Sequence, residues 1–148
     1  MSAITRRNKK AKRKKVLREK KIVEKWEIEE RGIEVLRGKT LIKIEVSKNG
    51  DEDYLEFITS EGDKFLMVHE QDCCEGVYIE DICGDINDLL DTPILKACES
   101  GKDGEDKEFG SSYWTFYKLA TIKGSVDIRW YGSSNGYYSE TVSFFRKV

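Results

Sequence analysis

Alternating apolar and polar positions dominate the chain after Gly38. In TLIKIEVSK the residues Ile42, Ile44 and Val46 recur at every second place, the period of a strand with one face turned inward. NGDED then supplies a turn, YLEFIT a second strand, SEGD another turn and KFLMVH a third strand, which predicts a three-stranded meander. EDICGDINDLLDTPI, punctuated by Gly84 and Pro93, predicts a short helical turn around Ile86 to Leu90, and ILKACES a further strand. GKDGEDKEFGSS, residues 101–112, reads as a polar surface loop. YWTFYKLATI, GSVDIRWYG and YYSETVSFFRKV are β-rich runs joined by turns at Lys123-Gly124 and Ser133-Ser134-Asn135-Gly136, which predicts a second antiparallel meander.

The pattern before Gly38 is different. Residues 8–31 lack proline and glycine and consist mostly of Lys, Arg, Glu, Ala and Leu, so a helix is expected from Lys15 to about Arg31, stopped by Gly32. Val16, Ile22, Val23, Trp26 and Ile28 give its second half an apolar stripe. RRNKKAKRKK has none, and its self-repulsion predicts disorder until an anion neutralises it. The expected fold class is therefore α+β. A basic N-terminal helix in an arm of residues 1–37 precedes a mainly antiparallel β domain of residues 38–148, with two meanders, about six strands and one short helix.

Charge sharpens that division. The net charge of -2 conceals 12 Lys and Arg against Glu19 and Glu24 in residues 1–25, a local net of +10, which leaves about -12 on the remainder. Cations at that density favour phosphate backbones through counterion release, and Arg6, Arg7, Lys9, Lys10, Lys12, Arg13, Lys14, Lys15 and Arg18 are the expected nucleic-acid contacts. The competing reading is that the arm meets the acidic body of its own chain or of a second copy, a homo-oligomer. No apolar run is long enough to cross a bilayer as a helix and the first residues lack the apolar segment of a signal peptide, so a cytoplasmic location without a membrane partner is expected. The four cysteines are expected to be reduced thiols in the core.

The densest chemistry lies in HEQDCCEGVYIEDICGD, residues 69–85, which holds the single histidine, three of the four cysteines and six carboxylates. Adjacent Cys73 and Cys74 in an extended strand would point to opposite faces, unlike the paired thiolates of zinc sites, so no metal or other cofactor is expected. His69, Cys73 and Cys83 are the weak metal candidates, with a metal-dependent enzyme as one alternative function. A nucleophile needs a base oriented by a third group, and with one imidazole in the chain no catalytic constellation emerges; the expectation is a non-enzyme.

The C-terminal aromatics form a second candidate. Alternate aromatics of a strand face the core, and Trp114, Phe116 and Trp130 are the expected packing set. Arg129, Trp130, Tyr131, Asn135, Tyr137 and Tyr138 are candidate ligand or partner contacts, because aromatic faces stack bases while Arg and Asn read edges and phosphates; Gln71, Asp72 and Glu75 join them from the acidic segment.

The segments HEQDCCEGVYIEDICGD, YWTFYKLATIKGSVDIRWYG and SSNGYYSETVSF resemble an uncharacterised domain-of-unknown-function family encoded mainly by tailed phages, over residues 38–145. Its wording is HDQDCCE, YIEDICGD, WTFYKLATIKG and RWYGSSNGYYSE, and Glu70 stands here for the usual Asp. The resemblance implies a compact β-rich domain of phage origin acting in the cytoplasm of an infected or lysogenic bacterial host, and no established activity. The function expected is a non-enzymatic accessory protein that binds a nucleic acid or ribonucleoprotein complex, or a host protein there, in host takeover or counter-defence as an inhibitor. The alternative from another class is a sponge that sequesters a small nucleotide signal in an aromatic pocket.

Overall fold

A computed structural model describes residues 28–105 and 108–147. They form nine strands: β1 (Ile28–Glu30), β2 (Leu41–Ser47), β3 (Tyr54–Thr59), β4 (Lys64–Val68), β5 (Gly76–Cys83), β6 (Lys96–Asp103), β7 (Ser111–Thr121), β8 (Gly124–Ser134) and β9 (Ser143–Lys147). One sheet has the order β1-β9-β4-β3-β2 and the other β5-β8-β7-β6, and every pairing between strands is antiparallel.

This corrects the α+β expectation. Among the described residues no helix reaches seven residues, and helical structure is confined to two four-residue 3-10 turns, Ile33–Leu36 and Ile86–Leu89. The expected basic helix falls outside the described residues except at its last turn. There Ile28–Glu30 is a strand paired with β9, because the open edge of β9 offers backbone partners that local helix propensity does not weigh. Ile33 and Leu36 are buried in the main core.

The first meander forms, with β2, β3 and β4 neighbours in chain order, but the alternation of β2 does not set its inward face: Leu41 is buried while Ile42 and Val46 are exposed and Ile44 is half-buried, with a register shift between Leu41 and Lys43. The second meander does not form. β7 and β8 make a long hairpin, but β9 leaves them and inserts between β1 and β4 in the other sheet. ILKACES does form a strand, and β6 continues it to Asp103, into the stretch expected to be loop.

The two sheets share one core, with Leu55, Phe57, Phe65, Met67 and Phe144 from the first facing Val77, Ile79, Tyr117, Leu119, Val126, Ile128 and Trp130 from the second. Trp130 is 1% exposed, and its indole N–H points at the Met67 sulfur 3.4 Å away, across the sheet boundary. Buried carboxylates serve the backbone between sheets. Asp53 accepts from the N–H groups of Asn49 and Gly50 in the β2–β3 turn and of Ile79 beside the β5 bulge, which satisfies three donors with one side chain.

Trp130→Ala removes the largest fully buried side chain and leaves a cavity at the sheet boundary. A loss of about 3–5 kcal/mol is expected, a large part of the roughly 5–15 kcal/mol stability of a domain, and is read as the shift in the urea midpoint.

Candidate functional site

The chain crosses between sheets at two places, and both crossings meet at His69. The segment 69–75 carries the chain from β4 to β5, and the segment 135–142 returns it from β8 to β9. His69 Nδ1 lies 2.7 Å from the Thr141 carbonyl oxygen on the return segment, and Nε2 lies 2.9 Å from Glu75 Oε2 on the outward one. A carbonyl and a carboxylate only accept, so the ring is held between two acceptors, one on each crossing.

Glu75 is almost wholly buried and fully engaged. Besides His69 it accepts from the backbone N–H of Asp72 at 2.9 Å and of Cys73 at 2.8 Å and from the Gln71 amide at 3.2 Å. Burial alone would raise this carboxyl, but hydrogen bonds from His69 and from the backbone at Cys73, Glu75 and Asp72 outweigh it and hold the group at about 2. Gly132 gives the return segment its close passage, since a Cβ there would stand 2.6 Å from the Glu140 Cβ. Glu140 is held in turn by the hydroxyls of Ser111 and Ser134.

The weak metal set does not assemble. His69 is committed at both nitrogens, and Cys73 and Cys83 flank opposite ends of β5, an eight-residue strand about 23 Å long. Among the described residues no group of three or more His, Cys, Asp and Glu is placed to hold a metal ion. The cysteines are not core thiols either: all four are exposed, because Cys83 and Cys98 lie on the outward face of the second sheet and Cys73 and Cys74 on the bend before β5. That bend, and not an extended strand, brings the Cys73 and Cys74 Sγ atoms to 2.8 Å.

The aromatic residues divide by face. Trp130 and Tyr117 point inward, while Trp114 and Phe116, the expected packing residues, are half-buried on the outer face. Strand register decides this, because opposed residues of an antiparallel pair share a face. Lys102, Trp114, Tyr131 and Tyr78 thereby form one row across β6, β7, β8 and β5, and Ser100, Phe116, Arg129 and Asp81 form the next. The Trp114 and Tyr131 ring centroids are 4.6 Å apart, those of Tyr131 and Tyr78 6.0 Å, and Trp114 and Phe116 lie nearly parallel at 6.4 Å. The Arg129 guanidinium sits 5.8 Å from the Trp114 ring centroid and pairs with Glu80 and, at 3.7 Å, with Asp81. Each of these charges is a third or more exposed, so the pairs orient Arg129 more than they stabilise the fold.

Asn135, Tyr137 and Tyr138 lie in the return segment. The Asn135 side chain accepts from the Tyr137 N–H in a local turn, the Tyr137 and Tyr138 rings meet edge to face at 5.0 Å, and the Tyr138 hydroxyl reaches Cys73, which with burial and nearby acids lifts it to about 12. Gln71, Asp72 and Glu75 build the outward crossing. Lys102 and Tyr78 went unrecognised in the sequence because only the cross-strand register aligns them with Trp114. The arm residues from Arg6 to Arg18 lie outside the described residues. A cavity of about 240 Å³ opens where β6 and β7 meet the return segment, lined by Glu99, Ser100, Gly101, Tyr113, Thr115, Thr141 and Val142, none of them an expected nucleotide contact.

The chain belongs to the family described as Domain of unknown function (DUF7448), which matches residues 34–144. No curated protein and no solved structure matches the chain. Among the described residues no helix is long and apolar enough to cross a membrane.

Glu75 stays ionised in the folded chain down to about pH 2, whereas its ordinary value is 4.5, so its contribution is complete above about pH 4.5 and is lost as pH falls toward 2. Urea unfolding between pH 7 and 2.5 should show this decline. Glu75→Gln should unfold about 1–3 kcal/mol more easily at pH 7, since it removes the charged acceptor that gathers the buried His69 ring and the Asp72 and Cys73 N–H groups, and should flatten the acid limb.

Proposed function

We propose that this protein is a non-enzymatic binder of single-stranded nucleic acid. Its outer sheet face stacks bases, and its basic N-terminal segment contacts phosphates. The observation that carries this reading is the cross-strand row Lys102, Trp114, Tyr131 and Tyr78, with Arg129 over the Trp114 ring. Half-exposed rings fixed on a rigid sheet present π-faces that any base can stack on, and a cation at the end of the row suits a phosphate. The +10 net charge of residues 1–25 supplies the sequence-independent electrostatic part. With both of its nitrogens held by acceptors, the single histidine is not free for acid–base chemistry, which supports binding over catalysis.

The resemblance to tailed-phage proteins supports a setting in the bacterial cytoplasm during host takeover or counter-defence, where the target is a nucleic acid or a ribonucleoprotein complex. Capture of a small nucleotide by the same aromatic row is the second reading, favoured by the closeness of Trp114 and Tyr131.

Fluorescence anisotropy with labelled single-stranded DNA and RNA of mixed sequence tests this. Trp114→Ala and Tyr131→Ala should each weaken binding by about 1–3 kcal/mol, and deletion of residues 1–21 should weaken it further and make its dependence on salt shallower. Affinity unchanged by all three variants sinks the proposal. Thermal stabilisation by mononucleotides alone, abolished by Arg129→Ala, would replace it with nucleotide capture.

A further inference from the structure

Cys73 and Cys74 are not explained by the binding reading. Their backbone is curled because the N–H groups of Asp72 and Cys73 both turn inward to the Glu75 carboxylate. The two side chains therefore converge on the solvent side, where adjacent residues of a strand would diverge. Both thiols are exposed, their sulfurs are 2.8 Å apart, and the Tyr138 hydroxyl lies against Cys73. That separation is only about 0.8 Å beyond a disulfide bond. Cys83 instead donates to Asp81, and Cys98 stands on β6, opposite Lys118.

We propose that Cys73 and Cys74 are a reversible dithiol–disulfide modification site that takes a peroxide as oxidant. One thiol sulfur attacks a peroxide oxygen, breaking the O–O bond, and leaves as a sulfenic acid with release of one water. The neighbouring sulfur then displaces the sulfenic oxygen as a second water and forms the S–S bond. Two thiols and one hydrogen peroxide become one disulfide and two waters, with two electrons passing from sulfur to oxygen.

Adjacent Cα atoms are about 3.8 Å apart, closer than the roughly 4.4–6.8 Å that an unstrained disulfide spans, so this one is strained and readily reduced. Strain places such a bond among labile, switching disulfides rather than structural ones. The thiol contact from Cys73, burial and the nearby Glu75 raise Cys74 above its ordinary value, so oxidation accelerates as pH rises from neutral.

The test treats the full chain with graded hydrogen peroxide, blocks remaining thiols with N-ethylmaleimide and maps the peptides by mass. The expected result is a Cys73–Cys74 peptide two hydrogens lighter and unlabelled, with Cys83 and Cys98 labelled, and full labelling restored by dithiothreitol. Cys73→Ser should leave Cys74 as a sulfenic or sulfinic acid with no such mass loss, while circular dichroism shows the fold retained. Labelling of Cys73 and Cys74 equal to that of Cys83 and Cys98 at every peroxide level overturns the proposal. So does direct passage to sulfinic acids, or a disulfide to another chain.

Discussion

The fold depends on the buried pairing of His69 with Glu75. A two-sheet β structure must pass its chain between layers, and the crossing segments carry backbone donors that no strand satisfies. Here both crossings run side by side, and one hydrogen-bonded pair serves them together: the His69 ring meets the Thr141 carbonyl on one, and the Glu75 carboxylate gathers the Asp72 and Cys73 N–H groups on the other. The carboxylate alone would be costly to bury, but it is surrounded by the hydrogen bonds it needs. Val68 opposite Ser143 and Gly76 opposite Ser133 begin the ladders that leave this junction in the two sheets.

From that junction the second sheet extends with one face in the core and the other toward solvent. Trp130 packs across the boundary onto Met67, while Tyr131, one residue on, stands outside among Tyr78 and Trp114. The aromatic face and the exposed thiol pair thus both follow from the way β5 starts. The curl around Glu75 turns the thiols outward, and the strand that follows sets Tyr78 opposite Tyr131.

Much of the strand content was legible in the sequence. The alternation of Leu55, Phe57 and Thr59, and of Tyr117 and Leu119 with Val126 and Ile128, is local and survives folding. What was misread depended on partners distant in sequence. Ile28–Glu30 has helix-forming neighbours but pairs with β9, and Phe144 continues an aromatic run yet leaves β8 for the other sheet. Trp114 and Phe116 alternate as a core-facing set would, yet it is the other parity of β7 that faces inward, with Thr115, Tyr117 and Leu119.

The sequence by itself determined where the strands alternate, where turns break them, and the separation of a basic N-terminal segment from an acidic body, because period and charge are properties of neighbouring residues. Tertiary structure alone decided which face each aromatic occupies, which sheet receives β9, and that His69 bridges the two crossings between the sheets. Those outcomes rest on register and on contacts such as that between residues 69 and 141, where the free energy of pairing backbone and burying charge is set by partners that no local pattern names.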